Sequence, residues 1–236
     1  IRELGELYNL HPLILKSILN TKLQPGLEEY GQYVFITLSL VRFNQEEDQI
    51  NSDQLSIIVG NNYILTFHEK PIDLFKPIRK RLQVSDSKLR RSGVGYLTYS
   101  ILDCVLNSYM QTVEEIGNRI EDLELQLMKN STPSAITKSI NYKREVHFLR
   151  KCISPVCDHV LNIDFLNIRI LPKSDMLFFN DLRRHFTQVK EALDAYNDIL
   201  SNCLSIYQSN INLRTYNALR IALIMFVVLI IVQIIR

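Results

Sequence analysis

Along the last two thirds of the chain, apolar residues recur at alternating steps of three and four. One set is Val113, Ile116, Ile120, Leu123 and Leu127; a second is Val146, Leu149, Ile153, Val156, Val160 and Ile163. A third runs Leu182, Phe186, Val189, Leu193, Tyr196, Leu200, Cys203 and Tyr207. This spacing places each set on one stripe of a helix, the arrangement of helices packed side by side. Asn130-Ser131-Thr132-Pro133 separates the first two sets, which read as an antiparallel hairpin. Pro155 lies inside the second and predicts a kink, because proline lacks an N–H and clashes with the preceding turn. The third segment has no Gly or Pro between Lys173 and Thr215. One helix of roughly 40 residues, about 60 Å long, is expected there.

The first third has a different rhythm. Ile1 to Tyr8 reads as helical, and Pro12 suits the first turn of a second short helix reaching Asn20. Gln24-Pro25-Gly26 is a turn signal. Tyr33 to Val41 is rich in β-branched and aromatic residues, and Gln54 to Val59 and Tyr63 to Phe67 are joined by Gly60-Asn61-Asn62, a good hairpin connection. A sheet of at least three strands with helices packed on it is predicted, followed by a helix from Ile72 to Leu82. Its Arg79, Lys80 and Arg81, with Lys88, Arg90 and Arg91, read as a solvated face rather than a lipid or partner patch.

The end of the chain is almost pure hydrocarbon. From Ile221 to Ile235 the only polar side chain is Gln233, so no polar face exists to make a surface helix. A bilayer crossing needs roughly 20 apolar residues, and this run is slightly short of that. It reads as a transmembrane helix, truncated or nearly complete, behind a water-soluble domain. The chain begins at Ile1 inside a helical pattern, which is expected of a fragment. The 236 residues carry a net charge of +2, too little to argue for nucleic acid. Cys104, Cys152, Cys157 and Cys203 lack metal-ligand spacing and read as reduced core thiols of a cytosolic compartment.

A second stripe shares the third helix: Asp194, Asn197, Ser201, Ser205, Gln208, Asn212 and Thr215. Beyond Asp194 every member is polar and uncharged. Approaching a membrane, such a row suits several helices around a wet axis with hydroxyl and amide oxygens facing inward. Neutral oxygens hold a cation through its water shell without trapping it, and Mg²⁺ in particular dehydrates reluctantly. The plainer reading is the solvent face of an amphipathic stalk. No phosphate loop, nucleophile elbow or paired-carboxylate site is present, so no enzyme and no organic cofactor are expected. His11, His68, His147, His159 and His185 form no ligand-spaced cluster and read as capping or surface residues. Glu114, Glu115, Glu121, Asp122 and Glu124 form an acidic helix face, most simply a solvated one.

Leu4 to Leu40, with His11-Pro12-Leu13, Ile18-Leu19-Asn20, Gln24-Pro25 and Tyr30 through Ile36, resembles the CorA-type magnesium/cobalt (divalent cation) transporters. The likeness continues through Tyr63 to Leu82, Gly95 to Ile116, Lys143 to Val156 and Asn197 to Asn210. The resemblance implies an α+β fold: a cytosolic α/β/α sandwich, a long-helix funnel and C-terminal transmembrane helices. It implies a homopentamer in the cell (inner) membrane, multi-pass, with the large N-terminal domain cytosolic. Arg214 and Arg220 at the soluble end agree with that orientation, although Arg236 stands at the other end. The implied activity is passive Mg²⁺ uptake driven by membrane potential, with Mg²⁺ also acting as regulator. The ion path would be Asn197, Ser201, Ser205, Gln208, Asn212 and Thr215. The domains would be 1–92 (α/β), 93–172 (helical hairpin), 173–215 (stalk) and 216–236 (transmembrane).

Departures from the family pattern carry their own expectations. The Gly-Met-Asn motif and one of the two membrane helices are missing, and residues absent near Thr215 to Asn217 would account for both. Asp181 matches the family's acidic residue for an inter-subunit Mg²⁺ site, but its usual partner position holds Ser17. One carboxylate in place of two predicts weak or relocated Mg²⁺ gating. Ser205 stands where the family frequently has a path-lining Asp, which makes the path less negative. A Zn²⁺ transporter of the same superfamily and a non-conducting membrane-anchored scaffold are the alternatives.

Overall fold

The structure is a computed structural model that describes residues 1–21, 23–44, 49–71, 74–129, 132–162 and 173–235; the side chains at 161, 162, 173, 214, 228, 229 and 231–235 are outside that description. Ile72, Asn130, Ser131, Ile163, Pro172 and Arg236, named above, therefore lie outside the described residues. The chain divides into two compact units, Ile1–Ile116 with Glu145–Asp194, and Gly117–Arg144 with Ala195–Arg236.

The first unit opens with helices α1 (Arg2–Leu7) and α2 (Pro12–Leu19). Asn9 links them at φ 50°, a left-handed conformation in which Asn is enriched. His11 caps α2: its Nδ1 accepts the Leu13 N–H at 3.2 Å, and its own N–H donates to the Tyr33 hydroxyl at 2.9 Å. Four antiparallel strands follow in the order β1 (Gly26–Glu29), β2 (Tyr33–Asn44), β3 (Gln49–Gly60) and β4 (Ile64–His68). β2 and β3 pair along their whole length, from Tyr33 opposite Gly60 to Asn44 opposite Gln49. The β3–β4 connection needs Gly60, because a β-carbon there would lie 2.3 Å from the Tyr63 ring.

Both faces of the sheet are covered. On one, Leu10, Ile14 and Ile18 pack on Tyr33, Phe35 and Ile58. On the other, Val34, Ile36 and Val59 share an apolar cavity with Leu102, Val156 and Phe179 of the long helices. This explains why the first six residues of β2 are all buried instead of alternating. The buried Tyr109 hydroxyl donates to the Ser39 carbonyl at 2.6 Å, fixing its own long helix on the strand. Short helices α3 (Lys76–Gln83) and α4 (Lys88–Arg91) precede the long ones.

Helices α5 (Gly93–Lys129) and α6 (Pro133–Asn162) each contribute residues to both units. Thr132 caps α6 by accepting the Ala135 N–H at 3.3 Å, with Pro133 in its first turn. Pro155 sits within α6 without ending it. After a 3-10 turn at Lys173–Asp175 comes α7 (Met176–Ile235), 60 residues long. It is longer than the expected stalk because it passes through Thr215 to Asn217 uninterrupted. The predicted stripes are largely the buried ones. The named residues from Val113 to Leu127 and from Val146 to Val160, with Leu182, Phe186, Val189, Leu193, Leu200 and Cys203, are core positions, while Tyr196 and Tyr207 of the third stripe are half-buried. Among the described residues, no helix is long and apolar enough to cross a membrane. Several of the side chains from Ile221 to Ile235 are outside the description.

In the second unit, Ile120, Leu123 and Leu127 of α5, Ala135 of α6, and Leu200 and Cys203 of α7 are buried. The four cysteines are free, three buried and Cys104 half-buried.

Candidate functional site

The polar row of α7 divides in two. At its start, in the first unit, Asp194 is held by Arg150 of α6 at 2.9 Å. In the second unit, the Ser201 hydroxyl donates to the Asn197 carbonyl at 2.9 Å and accepts from Lys143 Nζ of α6 at 3.1 Å. Asn197 and Ser201 are half-buried. One turn further, the Ser205 hydroxyl donates to the Ser201 carbonyl at 3.2 Å, and Ser205, Gln208, Asn212 and Thr215 are exposed. Donation of a serine proton back to the preceding turn is the usual hydroxyl habit inside a helix. It leaves oxygen lone pairs as the outward-facing feature of Ser205, the property a cation needs.

Asp181 and Ser17 both lie in the first unit, Asp181 with its carboxylate paired and Ser17 with its backbone carbonyl bonded. Asp181 accepts from Arg184 of the next turn at 2.6 Å, while the Ser17 carbonyl takes the Gln54 side-chain amide at 3.4 Å. A second acid, Asp103 on α5, was not singled out from the sequence. Burial raises its pKa; the nearby Asp181 raises it further and His185 opposes the rise. The signal for it was weak, since an Asp in GYLTYSILDCV reads as an ordinary solvated helix position. Among the described residues, no group of three or more His, Cys, Asp or Glu side chains is placed to hold a metal ion.

The remaining sequence candidates fall into structural roles. His11 is a cap, as above. His68 lies edge-on to Phe75, with ring centroids 5.3 Å apart. Lys88, read as part of a solvated basic face, places its ammonium 4.8 Å from the ring centres of both Tyr96 and Phe178, a cation–π contact. Arg91 pairs with Asp86. Glu114, Glu121 and Asp122 are exposed and Glu124 is half-buried.

A family model described as CorA-like Mg²⁺ transporter protein matches residues 1–231. The cobalt/magnesium transport protein CorA of Thermotoga maritima is 28% identical over 222 residues, which is 94% of this chain and 63% of that protein. The chain thus spans somewhat less than two thirds of this relative's length. The complete structure of the CorA magnesium transporter from Methanocaldococcus jannaschii superposes with a TM-score of 0.77 at 22% identity, covering 93% of this chain and 69% of that one. The ZntB cytoplasmic domain from Vibrio parahaemolyticus superposes with a TM-score of 0.68 at 14% identity, covering 88% and 82%. At these identities the two structures establish the fold: an N-terminal α/β part followed by long helices, as in the CorA soluble domain. With the family model matching nearly its whole length, the chain belongs to the CorA-like Mg²⁺ transporter protein family.

Proposed function

We propose that this chain forms the soluble part and stalk of a passive channel for divalent cations, chiefly Mg²⁺, driven inward by the membrane potential. Five copies surround a shared hydrated axis, with the α/β part (1–92) and the hairpin (93–172) in the cytosol acting as gate and sensor. The stalk (173–215) carries the path, and 216–236 enters the membrane. The observation that carries this reading is the line of exposed, uncharged oxygen-bearing side chains at Ser205, Gln208, Asn212 and Thr215 on one helix. The same helix continues into a segment whose Leu219, Ile221, Leu223, Ile224, Met225 and Phe226 are all more than half exposed. Apolar surface of that kind needs a lipid or protein cover.

Oxygen dipoles without fixed charge favour a hydrated, hard cation and let it leave again. Asp181 is the regulatory ligand of this reading, and its engagement by Arg184 accords with weak Mg²⁺ gating. Uptake of Mg²⁺ into liposomes bearing the full-length protein tests the assignment. Asn212→Leu, which replaces an amide in the row by hydrocarbon, is expected to reduce uptake at least tenfold; an unchanged rate removes the row from the path. Running the same assay with Zn²⁺ separates the zinc alternative, and absence of flux for both metals favours the scaffold.

A further inference from the structure

Ser201 differs from the rungs that follow it. Its proton goes to the Asn197 carbonyl, and its oxygen meets the ammonium of Lys143, 58 residues away in sequence on α6. The ammonium's partner here is a neutral hydroxyl, so the contact itself does not cancel the positive charge. Ser205 stands one turn on, and among the described residues no side-chain donor reaches its oxygen. Resting on the path reading above, we infer that Lys143 is a tethered cation that occupies the Ser201 rung and holds divalent ions away from it, so that its charge limits conduction.

The physical argument has two parts. An oxygen already accepting from an ammonium is a poor ligand for the water shell of an incoming ion, because the competing cation is covalently attached and always present. The charge also acts at a distance. In water, a unit charge about 7 Å from a dication lowers its local occupancy about sevenfold. That repulsion weakens with salt, since the screening length falls from about 10 Å at 0.1 M to about 3 Å at 1 M.

The test uses the full-length protein in liposomes loaded with a Mg²⁺-sensitive dye, comparing wild type, Lys143→Met and Lys143→Gln at low and high ionic strength. Lys143→Met keeps most of the aliphatic stem, so it separates loss of charge from loss of packing. Both variants are expected to admit Mg²⁺ about fivefold faster at low salt, with the gain vanishing near 1 M salt. Variant rates equal to wild type, or a gain that ignores salt, overturn the inference. If wild-type flux is blocked by Asn212→Leu while the Lys143 variants change nothing, only the tethered-cation idea falls. If no version conducts, the path reading falls and takes this inference with it.

Discussion

The Tyr196 phenol fills the space into which a side chain at Gly117 would grow. A β-carbon built on Gly117 lies 2.2 Å from the Tyr196 hydroxyl oxygen and 2.3 Å from its Cζ. Gly117 is thus what lets α5 and α7 approach at this level of the second unit. Inside a helix, Gly→Ala ordinarily stabilises by about 1 kcal/mol. Here the overlap is expected to reverse that sign, costing about 1–3 kcal/mol in total, as overpacking does. In a Tyr196→Ala background the same Gly117→Ala change is expected to stabilise. Thermal unfolding of the four combinations checks this, and a stabilising Gly117→Ala in the Tyr196 protein refutes it.

Asp181 has its carboxylate committed to Arg184, a partly exposed pair of the kind whose coupling is about 0.2–1 kcal/mol. Removing the competitor with Arg184→Gln is therefore expected to lower the Mg²⁺ concentration that protects the protein from protease about two- to fivefold. Limited proteolysis across a Mg²⁺ titration measures it. Strong protection of the wild type at low millimolar Mg²⁺, lost on Asp181→Ala, contradicts the weak-gating reading.

Burial, with Arg79 as a lesser cause, holds the His68 imidazole below the ordinary histidine pKa. Its Nδ1 has no hydrogen-bond partner among the described residues. The unfolded chain consequently takes up this proton first. The stability is complete above the ordinary value of about 6.5 and declines as pH drops from there toward the lower folded value. His68→Phe is expected to flatten the dependence of the unfolding midpoint between pH 7.5 and 5.5. An identical slope in both proteins would rule out His68 as its source.

Burial also pushes the Cys157 thiol up to about 12, and its Sγ sits 3.5 Å from the Phe186 carbonyl. Near pH 8 its thiolate fraction is about one in ten thousand, and only thiolate reacts with alkylating reagents. Cys104, half-buried, is expected to be labelled first in the folded protein, and Cys157 only on unfolding. Mass spectrometry of tryptic peptides over an iodoacetamide time course decides the order; early labelling of Cys157 would contradict it.

The long helices were legible because most of each predicted stripe is what the fold buries, with Tyr196 and Tyr207 only half-buried and Ile163 outside the described residues. What escaped has physical causes. β1 is Gly-Leu-Glu-Glu at the sheet edge, where one neighbour suffices and no alternation is enforced. β3 begins earlier than its apolar run because Gln49, Asn51 and Asp53 are carried by pairing to β2 and by ion pairs from Asp53 to Arg42 and Lys70. Composition gives no hint of either. The polar row on α7 was visible as spacing, but its division at Ser201 depends on a lysine from another helix. Periodicity within one helix carries no information about such a partner.

The hydroxyls of Ser201 and Ser205 each surrender their proton to the carbonyl one turn behind. Their remaining capacity is acceptance alone, and the main chain fixes it. At Ser201 that acceptance is taken by the Lys143 ammonium, whereas at Ser205 it stays open among the described residues. Along the proposed path an approaching anion finds no hydroxyl hydrogen at Ser205, and a hydrated metal finds an oxygen for its outermost waters. At the Ser205 rung of the proposed path, sign discrimination therefore rests on hydrogen-bond direction along a single helix, without a carboxylate to enforce it.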